Sequence, residues 1–378
     1  MATALVGIGR TAFTRSSGRT TRAMAVEACR AALADAGLGV EDVDGMITFQ
    51  VGDSAHPGDV SYAMGKDELA WSYSVYAGGN IVSDLIATAS AAIEAGMCRA
   101  VLVYRSLNGR TGHRLGSMDA PVRVPDDAQF DAPSGFLVPP QWFAMWARRH
   151  MAEYGTTSED LGSIAVQQRA HAVRNPHAVM QEPLSLEQYL EGRWINEPFR
   201  VFDCTYEIDA AVAVLVTSEE VARGVATRPV WLVGSGCSQS GSTWTAWNDQ
   251  TSMYSRTAAP RLWKNTGLGP KDMDVALMYD CFTYTVMATM EDYGFCGKGE
   301  VGDFYREGRA TYGGDIVVNP HGGLLSEGYV HGLNHHYEAV LQLRGDAGPR
   351  QVPDARVALV TAGGGPYGGA VVYSADRP

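Results

Sequence analysis

The sequence predicts an α/β fold built from two duplicated halves, and two pairs of matching segments support that prediction. Residues 37–49 read GLGVEDVDGMITF and residues 267–279 read GLGPKDMDVALMY, with both glycines and both aspartates at equivalent positions. Residues 99–103 (RAVLV) and 356–360 (RVALV) form a second pair in the same order. Repeats this far apart in a chain of 378 residues indicate duplicated domains rather than a solenoid of short units.

Each half is expected to begin with a strand and a helix. Residues 4–9 (ALVGIG) predict a buried strand that ends in glycines, and residues 230–236 (VWLVGSG) repeat the pattern. An alanine-rich helix is predicted from Thr21 to Ala36 because Gly37 supplies a stop, and its counterpart ends at Thr266. The strand–helix–strand order favours a parallel-rich sheet in each half, covered by helices.

A long insertion separates the strands of the first half. Residues 107–202 are interpreted as a loop and helical cover for a substrate, because Gly, Pro and Asp dominate as far as Pro140. A buried strand within residues 208–220 then closes this half. We therefore predict halves at residues 1–224 and 225–378.

Local signals within the insertion predict helices. An aromatic-rich helix is expected from Gln141 to Tyr154. Thr156-x-x-Glu159 and Ser185-x-x-Gln188 both have the spacing of a capping box, in which the first side chain and the fourth satisfy each other's backbone N–H groups.

The composition narrows the class of protein. A net charge of −12 argues against a nucleic-acid partner, because a basic surface is absent. No apolar run reaches the roughly 18 residues of a membrane span, and no segment has the pattern of a signal peptide. Six cysteines lie far apart without the spacing of a zinc knuckle, so buried, reduced thiols and a cytoplasmic location are expected.

A glycine-rich stretch from Asn319 to Tyr337, NPHGGLLSEGYVHGLNHHY, is the first candidate for a functional site. Its glycines allow sharp turns and a close approach of the backbone to a ligand. Tyr329, His321 and His331 lie within it. The stretch alone is compatible with a surface loop or with a site, since such loops occur in both settings.

Taken together, the motifs resemble the thiolase superfamily, most closely its lipid-transfer-protein branch of sterol-carrier-type thiolases. Beyond the two duplicated turns, the resemblance rests on YGTTSEDL (154–161), the NP at 175–176, DCTYEIDAA (203–211), NPHGGLLSEG (319–328) and GGG (363–365). It implies two βαβαβαββ repeats packed into a five-layer αβαβα body, commonly a dimer.

The chain departs from the thiolase pattern at every catalytic position. Tyr76-Ala77-Gly78-Gly79 stands where the family has its nucleophilic cysteine, and Tyr279 stands where it has Asn or His. Tyr329 replaces the histidine of the GHP motif, and Thr361 replaces the C-terminal cysteine. Without a thiolate nucleophile no acyl-enzyme forms, so thiolysis is excluded and a reaction carried by tyrosine hydroxyls is favoured.

Within this superfamily the pattern is most similar to the actinobacterial steroid side-chain aldolases. The resemblance implies retro-aldol cleavage of a 17-hydroxy steroid β-hydroxyacyl-CoA to a 17-ketosteroid and propionyl-CoA, without a cofactor beyond the CoA of the substrate. It also implies a partner, the OB-fold (DUF35) domain of an acyl-CoA hydratase subunit, bound to a homodimer core as a heterotetramer. Whether the steroid derives from cholesterol or a bile acid stays open.

The resemblance also implies roles for individual residues. Tyr279 and Tyr329 are the predicted catalytic pair, with Tyr279 as base and Tyr329 as enolate donor in a first assignment that the sequence does not secure. The remaining candidates are expected to bind the substrate or support the pair: Tyr76 filling the space of the lost cysteine, His321 and His331 bordering the site, Asp280 in a structural role, and Gly364 close to the thioester. Trp142, Phe143 and Trp146 are candidates to flank an apolar ring system, or else ordinary core residues.

Two other functions are compatible with the sequence alone. A metal-dependent aldolase would use His331 and His335, which have the i, i+4 spacing of a zinc site on a helix, although no third ligand can be named. A non-catalytic acyl-CoA or sterol carrier would also have lost the thiolase residues. The tail TAGGGPYGG (361–369) lacks the G-K-[ST] ending of a nucleotide-binding phosphate loop.

Overall fold

The structure, a computed structural model, describes residues 2–112, 114, 128–241 and 244–378. Part of the predicted irregular loop before Pro140, at residues 113 and 115–127, therefore lies outside the described residues. The strands are β1 (Thr3–Arg10), β2 (Gly45–Gln50), β3 (Trp71–Tyr76), β4 (Ala100–Asn108), β5 (Trp194–Asn196), β6 (Phe199–Arg200), β7 (Asp209–Ser218), β8 (Val230–Gln239), β9 (Val275–Leu277), β10 (Val317–Val318), β11 (Val357–Gly364) and β12 (Tyr367–Ser374). The helices are α1 (Thr21–Ala36), α2 (Pro57–Met64), α3 (Val82–Glu94), α4 (Ala128–Asp131), α5 (Pro139–Tyr154), α6 (Ser158–Val173), α7 (Leu186–Glu191), α8 (Glu219–Ala222), α9 (Ser255–Thr266), α10 (Thr283–Asp292), α11 (Val301–Arg306), α12 (Gly323–Ser326) and α13 (Leu333–Arg344).

Local chemistry explains why α1 spans the predicted residues. Thr20 caps its N-terminus by accepting a hydrogen bond from the backbone N–H of Ala23. Gly37 ends the helix in the left-handed region at φ 71°, where glycine has no Cβ to strain.

The main sheet repeats one strand arrangement twice, in the order β10-β9-β11-β12-β8-β1-β7-β4-β2-β3. In the first half β2 runs parallel to β3 and β4, and β7 runs antiparallel to β4 and β1. In the second half β9 runs parallel to β10 and β11, and β12 runs antiparallel to β11 and β8. This identity of order and direction confirms the predicted duplication.

Each half of the sheet is mixed rather than parallel-rich, which corrects that part of the prediction. The last strand of each half, β7 or β12, lies between the first and fourth strands and is antiparallel to both. The halves join where β1 pairs briefly with β8, Ala4 opposite Trp231 and Leu5 opposite Val230.

Helices cover the sheet in the five layers that were predicted. α3 and α13 lie between the two halves of the sheet, and their apolar residues share one core with the strands of both halves, as Leu85 and Val340 do. α1 and α2 cover the outer face of the first half. α5, α6, α9 and α10 cover the outer face of the second half. The order of layers is therefore αβαβα.

The insertion forms α4 to α7 and the β5–β6 hairpin. α5 begins at Pro139, two residues before the predicted start, because proline is well suited to the first turn of a helix. The capping box at Ser185 and Gln188 is confirmed. The predicted boundary between the halves falls in the connection between α8 and β8, and its exact place stays a prediction.

The other predicted capping box is displaced by one residue. Thr157, not Thr156, caps α6: its backbone N–H donates to Asp160 Oδ2 over 2.7 Å, and its hydroxyl accepts from the Asp160 backbone N–H. The Thr156 hydroxyl is instead hydrogen-bonded to the ring of His150, with 2.7 Å between Oγ1 and Nδ1. It is therefore not available to cap the helix.

Candidate active site

A cavity of about 900 Å³ opens where the two halves meet the insertion. Tyr279 lies just beyond the end of β9, and Gly364 lies at the end of β11. Gly79 precedes α3, and Tyr329 and His331 lie in the glycine-rich loop before α13. Residues from both duplicated halves thus converge on one space, as expected where parallel strands end.

The two predicted catalytic tyrosines face each other in this cavity. The hydroxyl oxygens of Tyr279 and Tyr329 lie 3.1 Å apart, within hydrogen-bond distance. Tyr279 is 3 % exposed, and Tyr329 is partly buried. The structure therefore places the two hydroxyls in contact, on residues that both line the cavity.

The backbone around Tyr279 is held by two threonines. The Thr361 hydroxyl accepts a hydrogen bond from the Tyr279 backbone N–H over 2.9 Å, and the Thr285 hydroxyl donates to the Tyr279 carbonyl over 2.9 Å. Thr361, the residue in place of the C-terminal cysteine, is fully buried and lies outside the cavity lining. It positions a catalytic candidate and does not face a substrate.

Tyr329 is anchored to the segment that follows the insertion. Its backbone N–H donates to the Tyr206 carbonyl over 3.1 Å. Gly328 has φ 144° and lies against Ile208, so a side chain there would be strained and would collide with Ile208. The glycines of this loop thus allow Tyr329 to approach Tyr279.

A buried chain of charged and polar groups ends on His331. Arg105, which is fully buried, donates from Nε to His331 Nδ1 over 2.9 Å and from Nη2 to Asp53 Oδ2 over 2.6 Å. The His331 ring lies edge-to-face against the Tyr329 ring, with 4.7 Å between centroids. Sequence analysis missed Asp53 and Arg105; the available signal was an arginine within the otherwise apolar run of β4.

A second polar chain runs behind the site through Asp280. Its carboxylate accepts from the backbone N–H groups of Leu324 and Leu325 over 2.9 and 3.1 Å, and it contacts His335 Nε2 at 3.1 Å. His335 Nδ1 in turn lies 2.9 Å from His321 Nε2. Asp280 therefore secures the glycine-rich loop.

Of the two histidines predicted to border the site, only His331 lines the cavity. His321 is fully buried one layer behind, where it contacts His335. The zinc arrangement of His331 and His335 does not form, because His331 precedes α13 at φ 52° and the two rings bond different partners. Among the described residues no group of three or more His, Cys, Asp or Glu side chains is arranged to hold a metal ion.

Tyr76 does not fill the space of a lost cysteine, so that prediction is wrong. It ends the edge strand β3 with its side chain 77 % exposed, and it lies outside the cavity lining. Gly79 occupies the critical position instead: a Cβ there would lie 2.1 Å from the Tyr279 hydroxyl. The sequence placed the replacement of the nucleophilic cysteine within residues 76–79. Only the side-chain directions in the structure show which of these residues borders the site.

Aromatic side chains form one wall of the cavity. Trp142 and Phe143, which the sequence left as wall or core residues, line it together with Trp244 and Phe282. Trp142 stacks on Trp244 at 5.1 Å between centroids. Trp146 follows the other alternative, an ordinary core residue, because it is fully buried and its indole N–H donates to the Trp244 carbonyl.

Arginines at the cavity were also missed by the sequence analysis. Arg110, Arg114 and Arg193 line it, and Arg114 pairs with Glu207 at 2.6 Å. Arg110 lies over the Tyr206 ring at 5.6 Å. Such side chains are isolated in a sequence and are brought together only by the fold.

The electrostatic surroundings of the two tyrosines differ. Burial raises the pKa of both phenols well above that of free tyrosine. The neighbouring Tyr329 raises the pKa of Tyr279 further. For Tyr329, the charge of Arg105 opposes the rise in pKa. Both groups are neutral phenols at rest.

The cavity offers no activated thiol among its described residues. Cys281 lines it, but burial raises the pKa of this thiol, and its sulfur lies 3.8 Å from the Thr285 hydroxyl. A buried thiol without a positive neighbour stays protonated and is a poor nucleophile. The arrangement suits proton transfer between hydroxyls.

Comparisons with known proteins identify relatives over the whole chain. Residues 236–373 match the family described as Thiolase C-terminal domain-like. The chain is 39 % identical to a steroid side-chain-cleaving aldolase of Thermomonospora curvata, over 100 % of this chain and 98 % of the relative. It is 38 % identical to a 17-hydroxy-3-oxo-4-pregnene-20-carboxyl-CoA lyase of Mycobacterium tuberculosis, over 96 % of each.

A solved structure agrees with these relatives. The Ltp2-ChsH2(DUF35) aldolase superimposes with a TM-score of 0.93 at 37 % identity, covering 100 % of this chain and 98 % of that one. Within the described residues, no helix is both long enough and apolar enough to cross a membrane.

Proposed function

The chain belongs to the thiolase superfamily, among its steroid side-chain-cleaving aldolases, and on that premise we propose a retro-aldol reaction carried by Tyr279 and Tyr329. The proposed substrate is a 17-hydroxy steroid with a three-carbon acyl-CoA side chain, and the products are a 17-ketosteroid and propionyl-CoA. The enzyme is a lyase of the aldolase type. The observation that carries the mechanism is the 3.1 Å separation of the two tyrosine hydroxyls in the cavity.

The reaction needs one proton to move from oxygen to carbon. As the bond between C17 and the side-chain α-carbon breaks, the 17-hydroxyl loses its proton and becomes a ketone, and the electron pair passes to the thioester as an enolate. The α-carbon of that enolate then takes up a proton to give propionyl-CoA. Atoms and charge balance without a covalent acyl-enzyme.

The tyrosine pair supplies this transfer as a relay. The Tyr329 oxygen accepts the substrate hydroxyl proton, the Tyr329 proton moves to Tyr279, and the Tyr279 proton moves to the enolate. Because burial raises the pKa of both phenols, a persistent phenolate is unfavourable, and a relay avoids one. This assignment reverses the division first drawn from the sequence, because the buried guanidinium of Arg105 is bonded to His331, whose ring packs against Tyr329.

The cavity has the chemistry for such a substrate. The aromatic wall that contains Trp142 and Phe143 is suited to a flat, apolar ring system. Arg110 and Arg193 offer positive charge for the phosphates of CoA, whereas Arg114 is paired with Glu207. Gly363 and Gly364 present bare backbone to the cavity, where we propose that the thioester lies. We propose that no cofactor beyond the substrate's CoA takes part, since the relay uses only the chain's own hydroxyls.

We further propose a homodimer core that binds a DUF35 domain as a heterotetramer in the cytoplasm. The likeness of this chain to the Ltp2-ChsH2(DUF35) aldolase supports the DUF35 partner. The edge strand β3 supports the dimer, because it exposes Tyr73 by 57 % and Tyr76 by 77 % along an unpaired backbone edge. Light scattering with and without the partner measures both stoichiometries.

The function is tested by replacing each hydroxyl with hydrogen. We expect Tyr279→Phe and Tyr329→Phe each to lower kcat by about 10²–10³-fold, the usual scale for a lost catalytic donor. Tyr62→Phe is the matched control, because Tyr62 is 75 % exposed and lies outside the cavity lining. Mass spectrometry follows propionyl-CoA and the 17-ketosteroid, with and without a DUF35 partner.

The outcomes separate the proposal from its rivals. Unchanged turnover in both variants would remove the tyrosines from the mechanism. Tight steroid-CoA binding without any cleavage, with or without partner, would identify a non-catalytic carrier. Activity lost on chelation would point to a metal-dependent aldolase, and an acylated protein by intact mass would point to covalent catalysis.

A further inference from the structure

We propose that His331 is a third functional group of this site, a neutral hydrogen-bond donor to the thioester oxygen on which the enolate charge develops. The inference rests on the proposed retro-aldol function and adds the group that stabilises its intermediate. Three observations carry it: the hydrogen bond that the ring accepts, the ring nitrogen left without a partner, and the packing of the ring against Tyr329 in a residue that lines the cavity.

The hydrogen bond from Arg105 decides the tautomer of His331. The Nε of an arginine always carries a hydrogen, because the guanidinium stays protonated in proteins. Arg105 Nε donates to His331 Nδ1 over 2.9 Å, so Nδ1 has no proton. The single proton of the neutral ring is therefore on Nε2. Burial and the Arg105 charge also lower the pKa of His331 well below that of free histidine, which keeps the ring neutral.

The Nε2–H group is buried and unused. No described residue provides a hydrogen-bond partner for His331 Nε2, although the residue is fully buried. A buried donor without a partner is unfavourable, because it has lost its hydrogen bonds to water and gained none in return. Because His331 is one of the residues that line the cavity and its ring packs against Tyr329, a bound substrate is the available partner.

The ring is held rigidly in this orientation. Arg105 is fixed on its other side by Asp53 and by the Ser106 carbonyl, to which it donates over 3.1 Å. The Phe49 ring packs against His331 at 5.9 Å between centroids. Asp53 and Arg105 are thus positioning residues. A donor that does not need to reorient when charge appears gives the largest electrostatic stabilisation.

The proposed reaction needs this donor. Tyr329 and Tyr279 are occupied by the proton relay, so neither hydroxyl is free to stay on the thioester oxygen throughout the reaction. A neutral imidazole donates a hydrogen bond without protonating the enolate oxygen, so the proton remains available for carbon. His331 therefore stabilises the enolate, while the tyrosines move the proton.

Two substitutions separate the donor at Nε2 from the acceptor at Nδ1. His331→Asn keeps an oxygen near the Nδ1 position to accept from Arg105 and tolerates the positive φ of 52°, but removes the distant donor. His331→Gln places an amide N–H near the position of Nε2. His177→Asn is the matched control, because His177 is exposed and lies outside the cavity lining.

The readout is enolate formation as well as cleavage. We expect His331→Asn to lower kcat by about 10²–10³-fold with a much smaller change in KM, and His331→Gln to recover part of the loss. Exchange of the α-protons of propionyl-CoA in D2O, followed by NMR, reports enolate formation without C–C cleavage. It should slow in His331→Asn and be unchanged in His177→Asn.

The result that overturns the inference is distinct from failure of the proposed function. If the wild-type protein cleaves the steroid-CoA and His331→Asn cleaves it at the same kcat, the His331 role is wrong and the tyrosine relay stands. The His331 role is also wrong if His331→Asn and His331→Gln lose the same activity and also lose the same stability in urea unfolding. If the wild-type protein neither cleaves nor exchanges, the proposed function fails first.

Discussion

Placing a methyl group at Gly79 tests the geometry of the tyrosine pair. An added Cβ would lie 2.1 Å from the Tyr279 hydroxyl oxygen and 2.9 Å from the His331 carbonyl oxygen, whereas real Cβ atoms essentially never approach closer than 3.0 Å. The hydroxyl must therefore retreat by about 1 Å, which is the difference between 2.1 and 3.0 Å. A misplacement of about 1 Å in a catalytic group can cost about 10²-fold in rate. We expect Gly79→Ala to lower kcat by about that factor.

The assay compares Gly79→Ala with Gly78→Ala under saturating substrate, with product formation followed by mass spectrometry. Gly78 is a neighbouring control, because its added Cβ would meet only the Asn80 side chain, at 3.4 Å. We expect a much smaller loss of kcat there. A kcat for Gly79→Ala within about twofold of wild type would refute the reasoning, because it would mean that the Tyr279 hydroxyl can move by about 1 Å without consequence for the reaction.

A double-mutant cycle tests the cause of the effect. Tyr279→Phe removes the oxygen atom that the new Cβ meets first, although the ring carbon behind it would still lie 2.8 Å away. Gly79→Ala should therefore cost less stability to urea in the Tyr279→Phe background than in wild type, and the two free-energy changes should not add. Additive changes would show that the strain lies elsewhere.

Two further predictions concern stability. Burial lowers the pKa of His171 to about 4 and of His336 to about 3, so both stay neutral in the folded protein while the unfolded chain takes up protons below about pH 6.5. The free energy of unfolding should therefore fall between pH 7.5 and pH 5.5, by about 1.4 kcal/mol for each histidine. A free energy of unfolding in urea that does not change over this pH range would contradict the argument from burial. Asp280→Asn should cost about 1–3 kcal/mol, because an amide N–H group would oppose backbone N–H donors of the glycine-rich loop. Asp315→Asn, at an exposed ion pair with an arginine, should cost about 0–1 kcal/mol, and equal costs at the two positions would contradict the role given to Asp280.

Much of the fold was accessible from local sequence patterns. The bounds of α1 follow from Thr20 and Gly37, both of which act on neighbouring residues. The duplicated turns at 37–49 and 267–279 indicated two equivalent halves, and the sheet confirms them. The capping residue of α6 was mistaken because Thr156 bonds His150, whose ring is held in the core by Glu291 of α10, a contact that no local pattern reveals.

The site was predictable where residue identity carries the chemistry. Tyr279 and Tyr329 were identified by what they replace in a family motif, and the structure brings their hydroxyls together. Tyr76 was misplaced because the sequence does not state to which side a residue at the end of an edge strand points. Gly79 carried no chemical signal, since its contribution is the absence of a side chain.

The sequence by itself determined the repeated α/β halves, the glycine-rich loop and the loss of every thiolase nucleophile, because these depend on residue identity and local spacing. Only the tertiary structure decided that Arg105 sets the tautomer of His331 and that Gly79 makes room for Tyr279. Arg105 and His331 are far apart in the chain and meet at 2.9 Å only because β4 and the loop before α13 pack together. The ring nitrogen that carries a proton and the direction in which a side chain points both depend on such long-range contacts. No local pattern encodes them.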